Sequence, residues 1–194
     1  MRPQRTTCAL LAVHAAIALF AVGCRSSGRT TYTHPGADLG AIRRVAVLPF
    51  STVGTDRTPG EKVERVFLVE LLAMGAVEVV EPGDVARLFT AEKLGPAETL
   101  SAGELQRVGR ALGADGLFLG QVIDFTQRVA GSTPAPEVTI QLRLVEVSSG
   151  TTAWSSTESR SGAGVGSRLF GVGGDSLTEA ARQLVRKQLK RLIK

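Results

Sequence analysis

The sequence predicts an α/β fold: one mixed β-sheet with helices packed on it, in the order βα-βα-α-βββ-α. Three observations carry this. Short apolar runs alternate with capped amphipathic stretches through the first half, so helices connect strands there. Residues 137–147 alternate apolar and polar, turn at "SSG" and return through 151–157, so an antiparallel hairpin closes the sheet. Residues 176–193 then carry a long apolar stripe at helical spacing. Residues 41–194 together suit a single domain.

Each element has a local reason. "RRVAVLPF" (43–50) is a short apolar run closed by Pro49, which reads as a buried strand. Thr58, Pro59 and Glu61 have the spacing of a cap, a first-turn proline and a capping-box partner. The helix they open puts Val63, Val66, Phe67, Leu71 and Met74 on one side and stops at Gly75. "VEVV" (77–80) is a strand and "PGDVARLF" (82–89) a short helix. Ser101 with Glu104 is a second capping box, with Leu105, Val108 and Leu112 as the stripe and Gly113 as the stop. "DGLFLGQVIDF" (115–125) is a strand in which Gly120 marks a close approach. Val138, Ile140, Leu142 and Leu144 share one face of the next strand. The last helix buries Leu177, Ala180, Ala181, Leu184, Leu189 and Leu192.

The first forty residues have a different composition. Arg2 and Arg5 precede an apolar run, residues 8–22, broken only by His14. That run is shorter than the ~20 residues a membrane helix needs. It has the layout of a secretory signal peptide, here residues 1–23. "AVGC" at its end resembles a bacterial lipobox, although Ala21 stands where leucine is commoner. The resemblance implies that Cys24 is acylated, as with palmitate, and becomes the first residue of the mature protein. The alternative is an ordinary signal peptide with a free Cys24. No second cysteine follows Cys24 that could pair with it. Residues 24–40 then read as a lipid-anchored flexible tether, polar and rich in Ser, Thr, Gly and Pro, with a reach of about 20–25 Å. Arg25, standing where aspartate would retain such a protein in the inner membrane, points to outer-membrane sorting.

The full chain has a net charge of +5. Without residues 1–23 it holds 21 basic and 18 acidic residues, a net +3. Residues 175–194 alone hold six cations against two acids. The excess is one basic helix, not a nucleic-acid-binding surface. Arg182, Arg186, Lys187, Lys190, Arg191 and Lys194 lie mostly off its apolar stripe. A solvated face suited to the helix dipole is one reading, and attraction to anionic head groups or an acidic partner is the other.

Taken in order, "RRVAVLPF", "ELLAMGAVEVVEPGDVARLF", "LQRVGRALGADGLFLGQVIDF" and "IQLRLVEVSSGTTAWSS" resemble the periplasmic domain shared by the curli-secretion protein CsgG, the penicillin-binding-protein activator LpoB and the amino-terminal domain of TolB. The resemblance covers most of residues 43–193. It implies a non-enzymatic envelope lipoprotein that binds and assembles other proteins. Two features depart from it. CsgG-type pores insert long hairpins where this chain has "QRVAGSTPAP" (127–136) and residues 158–174, both short. LpoB-type activators have a long tether where this chain has residues 25–40.

Catalytic chemistry is scarce. His34 is the one histidine after residue 23, and it lies in the tether. No His-based triad, His-led proton relay or His/Cys metal site is expected in the domain. Asp56, Glu61, Asp115 and Asp124 lack the spacing of a calcium loop and read as caps and solvated carboxylates. "SGAGVGSRLFGVGG" (161–174) has six glycines but neither the lysine nor the spacing of a phosphate loop, and Arg168 has no support there. It is also too short for two membrane-spanning strands. It is either a connector or a contact loop in which Leu169 and Phe170 meet a partner.

The expectation is therefore an outer-membrane lipoprotein facing the periplasm, acting as a protein-binding or assembly module through an envelope partner or self-association. It is not an enzyme, and it uses no cofactor, metal, nucleotide or nucleic acid. The alternative is a subunit of an oligomeric outer-membrane secretion pore.

Overall fold

The computed structural model describes residues 28–130, 133–161 and 176–193. Seven strands form one sheet: β1 (Arg29–Thr33), β2 (Arg44–Val47), β3 (Ser51–Thr52), β4 (Glu78–Val79), β5 (Gly116–Ala130), β6 (Thr133–Glu146) and β7 (Thr152–Ser161). Their order is β1-β7-β6-β5-β2-β4, with β3 also pairing with β5. The half from β1 to β5 is antiparallel, and β5, β2, β4 and β3 pair in parallel. Four helices pack on it: α1 (Thr58–Met74), α2 (Pro82–Ala91), α3 (Ala102–Leu112) and α4 (Leu177–Leu192). The mixed α/β architecture and the four helices are those expected.

The apolar run of β5 is explained by its position. Alternate side chains point to opposite faces, and both faces are covered. Phe118 and Val122 join Val45, Val47, Phe67, Leu142, Trp154 and Leu184 in a core under α1 and α4. Leu117 and Leu119 join Ala46, Leu48, Val85, Leu105 and Val108 in a second core under α2 and α3. Phe67 anchors the first core, with ring centroids 5.3 Å from Phe50 and 5.0 Å from Phe118. Burying a side chain of this size stabilises by about 1.5–3 kcal/mol.

The helix stops are local. Gly75 (φ 61°) and Gly113 (φ 60°) both end their helices in the left-handed region, where a Cβ is costly. Ser101 and Glu104 form the full capping box. The cap of α1 differs from expectation. Thr58 is already helical, and the Asp56 carboxylate accepts its N–H at 2.9 Å. Asp56 reaches the amide two residues on, an Asx turn that takes the place of the Thr58–Glu61 box. Gly120 is a close approach, as expected: a Cβ there would lie 2.4 Å from the Phe50 ring.

Other differences are of extent. Arg29–Thr33, read from the sequence as tether, is the outermost strand, paired with β7 from Arg29↔Glu158 to Thr33↔Trp154. Its β-branched and aromatic side chains suit a strand, but it has no apolar alternation to announce one. Residues 127–136, read as a short connection, are mostly paired strand. β5 and β6 run on together to Ala130↔Thr133, so that Gln127 to Ala130 and Thr133 to Pro136 pair with each other beyond the rest of the described sheet. β7 likewise continues to Ser161.

Candidate functional site

The residues singled out from sequence fall mostly elsewhere than in the described structure. Cys24, and Leu169 and Phe170 in the glycine-rich stretch, lie outside the described residues. Among the described residues no three of His, Cys, Asp and Glu come together as metal ligands. Also among them, no helix is long and apolar enough to cross a membrane. Asp115 and Asp56 serve the backbone: Asp115 Oδ2 accepts the N–H groups of Arg43 (3.1 Å) and Arg44 (2.9 Å). His34 Nδ1 accepts the Gly36 N–H at 3.1 Å in the turn after β1.

The cations of α4 lie at the surface, as one reading of the sequence expects, and most of them are also paired. Arg186 Nε lies 2.8 Å and Arg182 Nη1 3.9 Å from the carboxylate of Glu70 on α1. Lys187 Nζ lies 2.9 Å from Glu158 on β7, which Arg191 also pairs. Glu70 and Glu158 are buried, Glu158 completely. The helix face next to them is polar as well: Gln188, fully buried, donates to the Ile140 carbonyl at 3.1 Å. Lys190 is exposed. Most of the basic excess therefore holds α4 to the sheet and to α1, by cations that reach water at one end and a buried carboxylate at the other.

What remains uncommitted is the opposite face of the antiparallel half. In β7, Trp154, Ser156 and Glu158 point toward α4 and are buried, so Ser155, Thr157 and Ser159 point the other way. α2 and α3 pack on the β2–β5 half of that face, and no described helix packs on the β1–β7 half. The register builds a row across five strands there: Thr30, Thr157, Gln141, Gln121 and Ser51. Each member is polar and uncharged. Gln121 Nε2 donates to Ser51 Oγ at 3.4 Å, and in the flanking row Thr139 Oγ1 donates to Ser159 Oγ at 3.1 Å. On the other flank lie Tyr32 and Ser155, then Arg143, which pairs with Glu98 at 3.4 Å. Burial pushes the Glu98 carboxyl above its ordinary pKa, and Arg143 pulls against that shift. Tyr32 is 48% exposed.

This arrangement offers hydroxyl and amide hydrogen bonds, one exposed aromatic ring and the backbone edge of β1. It has no nucleophile paired with a base. A separate groove of about 390 Å³ between α2 and α3 is lined by Val80, Leu88, Ala91, Ala111 and Leu112, with Asp84 and Arg87. It is equally without reactive groups. The alternation of 137–147 is legible in the sequence, but not that its polar side chains lie beside those of β7 and β1, because that neighbourhood comes from pairing with distant strands.

No protein-family model matches the sequence, and no curated protein sequence matches it. Solved structures do. The PelC dodecamer from Paraburkholderia phytofirmans is 21% identical, over 86% of this chain and 96% of that one, with a TM-score of 0.58. Lipoprotein GNA1162 from Neisseria meningitidis is 16% identical, over 77% of this chain and 99% of that one, with a TM-score of 0.54. The LpoB C-terminal domain from Escherichia coli is 19% identical, over 66% of this chain and 90% of that one, with a TM-score of 0.46. The first two likenesses show a shared fold.

Proposed function

We propose that this chain is a lipid-anchored lipoprotein of the bacterial envelope. It faces the periplasm from the outer membrane, binds and assembles proteins there, and catalyses no reaction. One observation carries the binding role: the outermost strand is exposed at all five positions, beside a polar sheet face that no described helix covers. Exposed strand edges are templates for other chains. The fold supports the reading, because it is shared with a lipoprotein, GNA1162, and with PelC, which forms a dodecamer. The anchoring role rests on Cys24 behind the apolar residues 8–22.

A pore subunit is the competing reading. The paired extension of β5 and β6 favours it, since a hairpin runs on there past the other described strands. Among the described residues it supplies four paired residues per strand beyond β7's partners, from Gln127↔Pro136 to Ala130↔Thr133. A membrane strand needs ~9–11.

Site-specific photo-cross-linking in intact cells tests the module. A photoreactive residue at Tyr32 is expected to give a discrete protein adduct, and one at Arg87 on α2 is not. Equal labelling at both, or none at Tyr32, overturns the reading. Cys24→Ala is expected to abolish stable membrane association, and a variant that still fractionates with membranes removes the lipid anchor from it. Ion conductance from the purified chain in planar bilayers would favour the pore.

A further inference from the structure

The register of β1 with β7 decides which backbone groups of β1 face outward. The Ser159 N–H donates to the Gly28 carbonyl at 3.0 Å, and the His34 N–H donates to the Ala153 carbonyl at 2.9 Å. Bonded and non-bonded residues alternate along an antiparallel pair. Thr30 and Tyr32 therefore also bond toward β7. Arg29, Thr31 and Thr33 turn their N–H and C=O groups away from it, and no described residue pairs with that edge. The usual protections of an edge are few here. β1 contains no proline and no lysine, its pairing with β7 shows no bulge, and its single charge sits at one end.

We propose that this edge pairs with β1 of a second copy, antiparallel about a two-fold axis through Thr31, so that two seven-stranded sheets become one. The proposal rests on the assembly role above and names the first partner as the chain itself. Three features of "RTTYT" fit it. The strand has an odd number of residues with its outward groups at the first, third and fifth. A two-fold axis at Thr31 sets Thr31 against Thr31 of the second copy, and Arg29 against Thr33 of the second copy. Every outward N–H then meets an outward C=O. The charges are compatible, because Arg29 faces a threonine and never its own copy, as it would in an in-register parallel pair. Finally, Tyr32 falls opposite Thr30 of the second copy in a non-bonded pair, where side chains approach most closely. That aromatic and β-branched contact occurs twice and covers the exposed Tyr32 ring.

Such an edge is smaller than the ~1,200 Å² that marks a stable interface. The dimer is therefore reversible in solution and is favoured when both copies share one membrane, which raises their effective concentration.

The test uses the full chain purified in mild detergent with Cys24 kept as its anchor; in the reading above acylation leaves no free thiol there and Cys8 departs with residues 1–23, so introduced thiols stand alone. Thr31→Cys is expected to oxidise to a covalent dimer. Bonded antiparallel residues have Cα atoms about 5.5 Å apart, within disulfide range. Arg29→Cys is expected to stay monomeric, since the two copies of residue 29 lie roughly 13 Å apart along the strands. In a parallel experiment, sedimentation equilibrium compares the wild-type chain with Thr31→Pro. Proline at 31 removes an N–H that β7 does not use, and also the Thr31 hydroxyl contact with Ser156 at 3.5 Å; Thr31→Val, which loses only the hydroxyl, is the control, and relative to it Thr31→Pro should keep the melting temperature while self-association weakens about tenfold or more. Equal cross-linking at both cysteines, or a dimer unaffected by Thr31→Pro, overturns the proposal. A chain that is monomeric throughout, yet still gives a heterologous adduct at Tyr32 in cells, overturns self-pairing and leaves the assembly role standing. If Tyr32 also gives no adduct, both fail.

Discussion

Lys187 on α4 reaches Glu158 on β7 at 2.9 Å, and only the carboxylate is fully out of water: the lysine side chain is 43% exposed. The other cation on Glu158, Arg191, is 33% exposed. This asymmetry fixes the order of mutational costs. Removing a cation leaves a buried charge short of compensation, whereas removing Glu158 leaves cations that can turn to solvent. Lys187→Ala combined with Arg191→Ala is expected to cost about 3–5 kcal/mol. Glu158→Gln is expected to cost distinctly less. Urea denaturation of the three chains measures it, and a Glu158→Gln loss as large as that of the double variant would show that the pair does not behave as a buried anion between wet cations.

Gly120→Ala probes the contact of β5 with Phe50. The added Cβ would meet the ring at 2.4 Å, and the ring is buried against Phe67. Overpacking of this kind typically costs about 1–3 kcal/mol. Phe50→Leu should relieve part of it, so the double variant should be more stable than the sum of the two single losses. Additive losses in thermal or urea unfolding would mean that the strand moves and the ring does not.

Ser101→Ala breaks the capping box of α3. The loss should lower the melting temperature by roughly 2–4 °C. It should also change the pH profile. The Ser101 hydroxyl and then its backbone N–H hold the Glu104 carboxyl below its ordinary pKa of 4.5. A depressed folded pKa contributes stability above the unfolded value, and that stability is lost as pH falls through the folded one. The gap between wild type and Ser101→Ala should therefore be widest near neutral pH and narrow below pH 4.5 to the part carried by the Glu104 N–H to Ser101 Oγ bond, which acid does not remove. A gap that stays constant into acid would show that the hydroxyl acts on the backbone alone.

Where a feature is written within a few residues, it is legible without the structure. The Ser101–Glu104 box, the stops at Gly75 and Gly113 and the alternation of Val138, Ile140, Leu142 and Leu144 all come out as read. The cap of α1 was missed by one residue: the helix starts after Arg57, which offers no capping side chain, and Asp56 just before it holds the Thr58 N–H instead, a choice set by the backbone path. The candidate site was least legible. β1 has β-branched and aromatic residues but no apolar alternation, so its own five residues do not set a buried strand apart from a tether, and its partner β7 lies more than a hundred residues away.

The sequence alone determined the α/β class, the four helices and the scarcity of reactive side chains, since these follow from local periodicity, capping chemistry and composition. Only the tertiary structure decided what the polar residues are for. It set surface cations of α4 against the buried carboxylates Glu70 and Glu158, and it left the outward groups of Arg29, Thr31 and Thr33 without a strand partner among the described residues. The reason is physical: a charge or a strand edge takes its role from what is packed beside it, and that neighbour comes from a distant part of the chain.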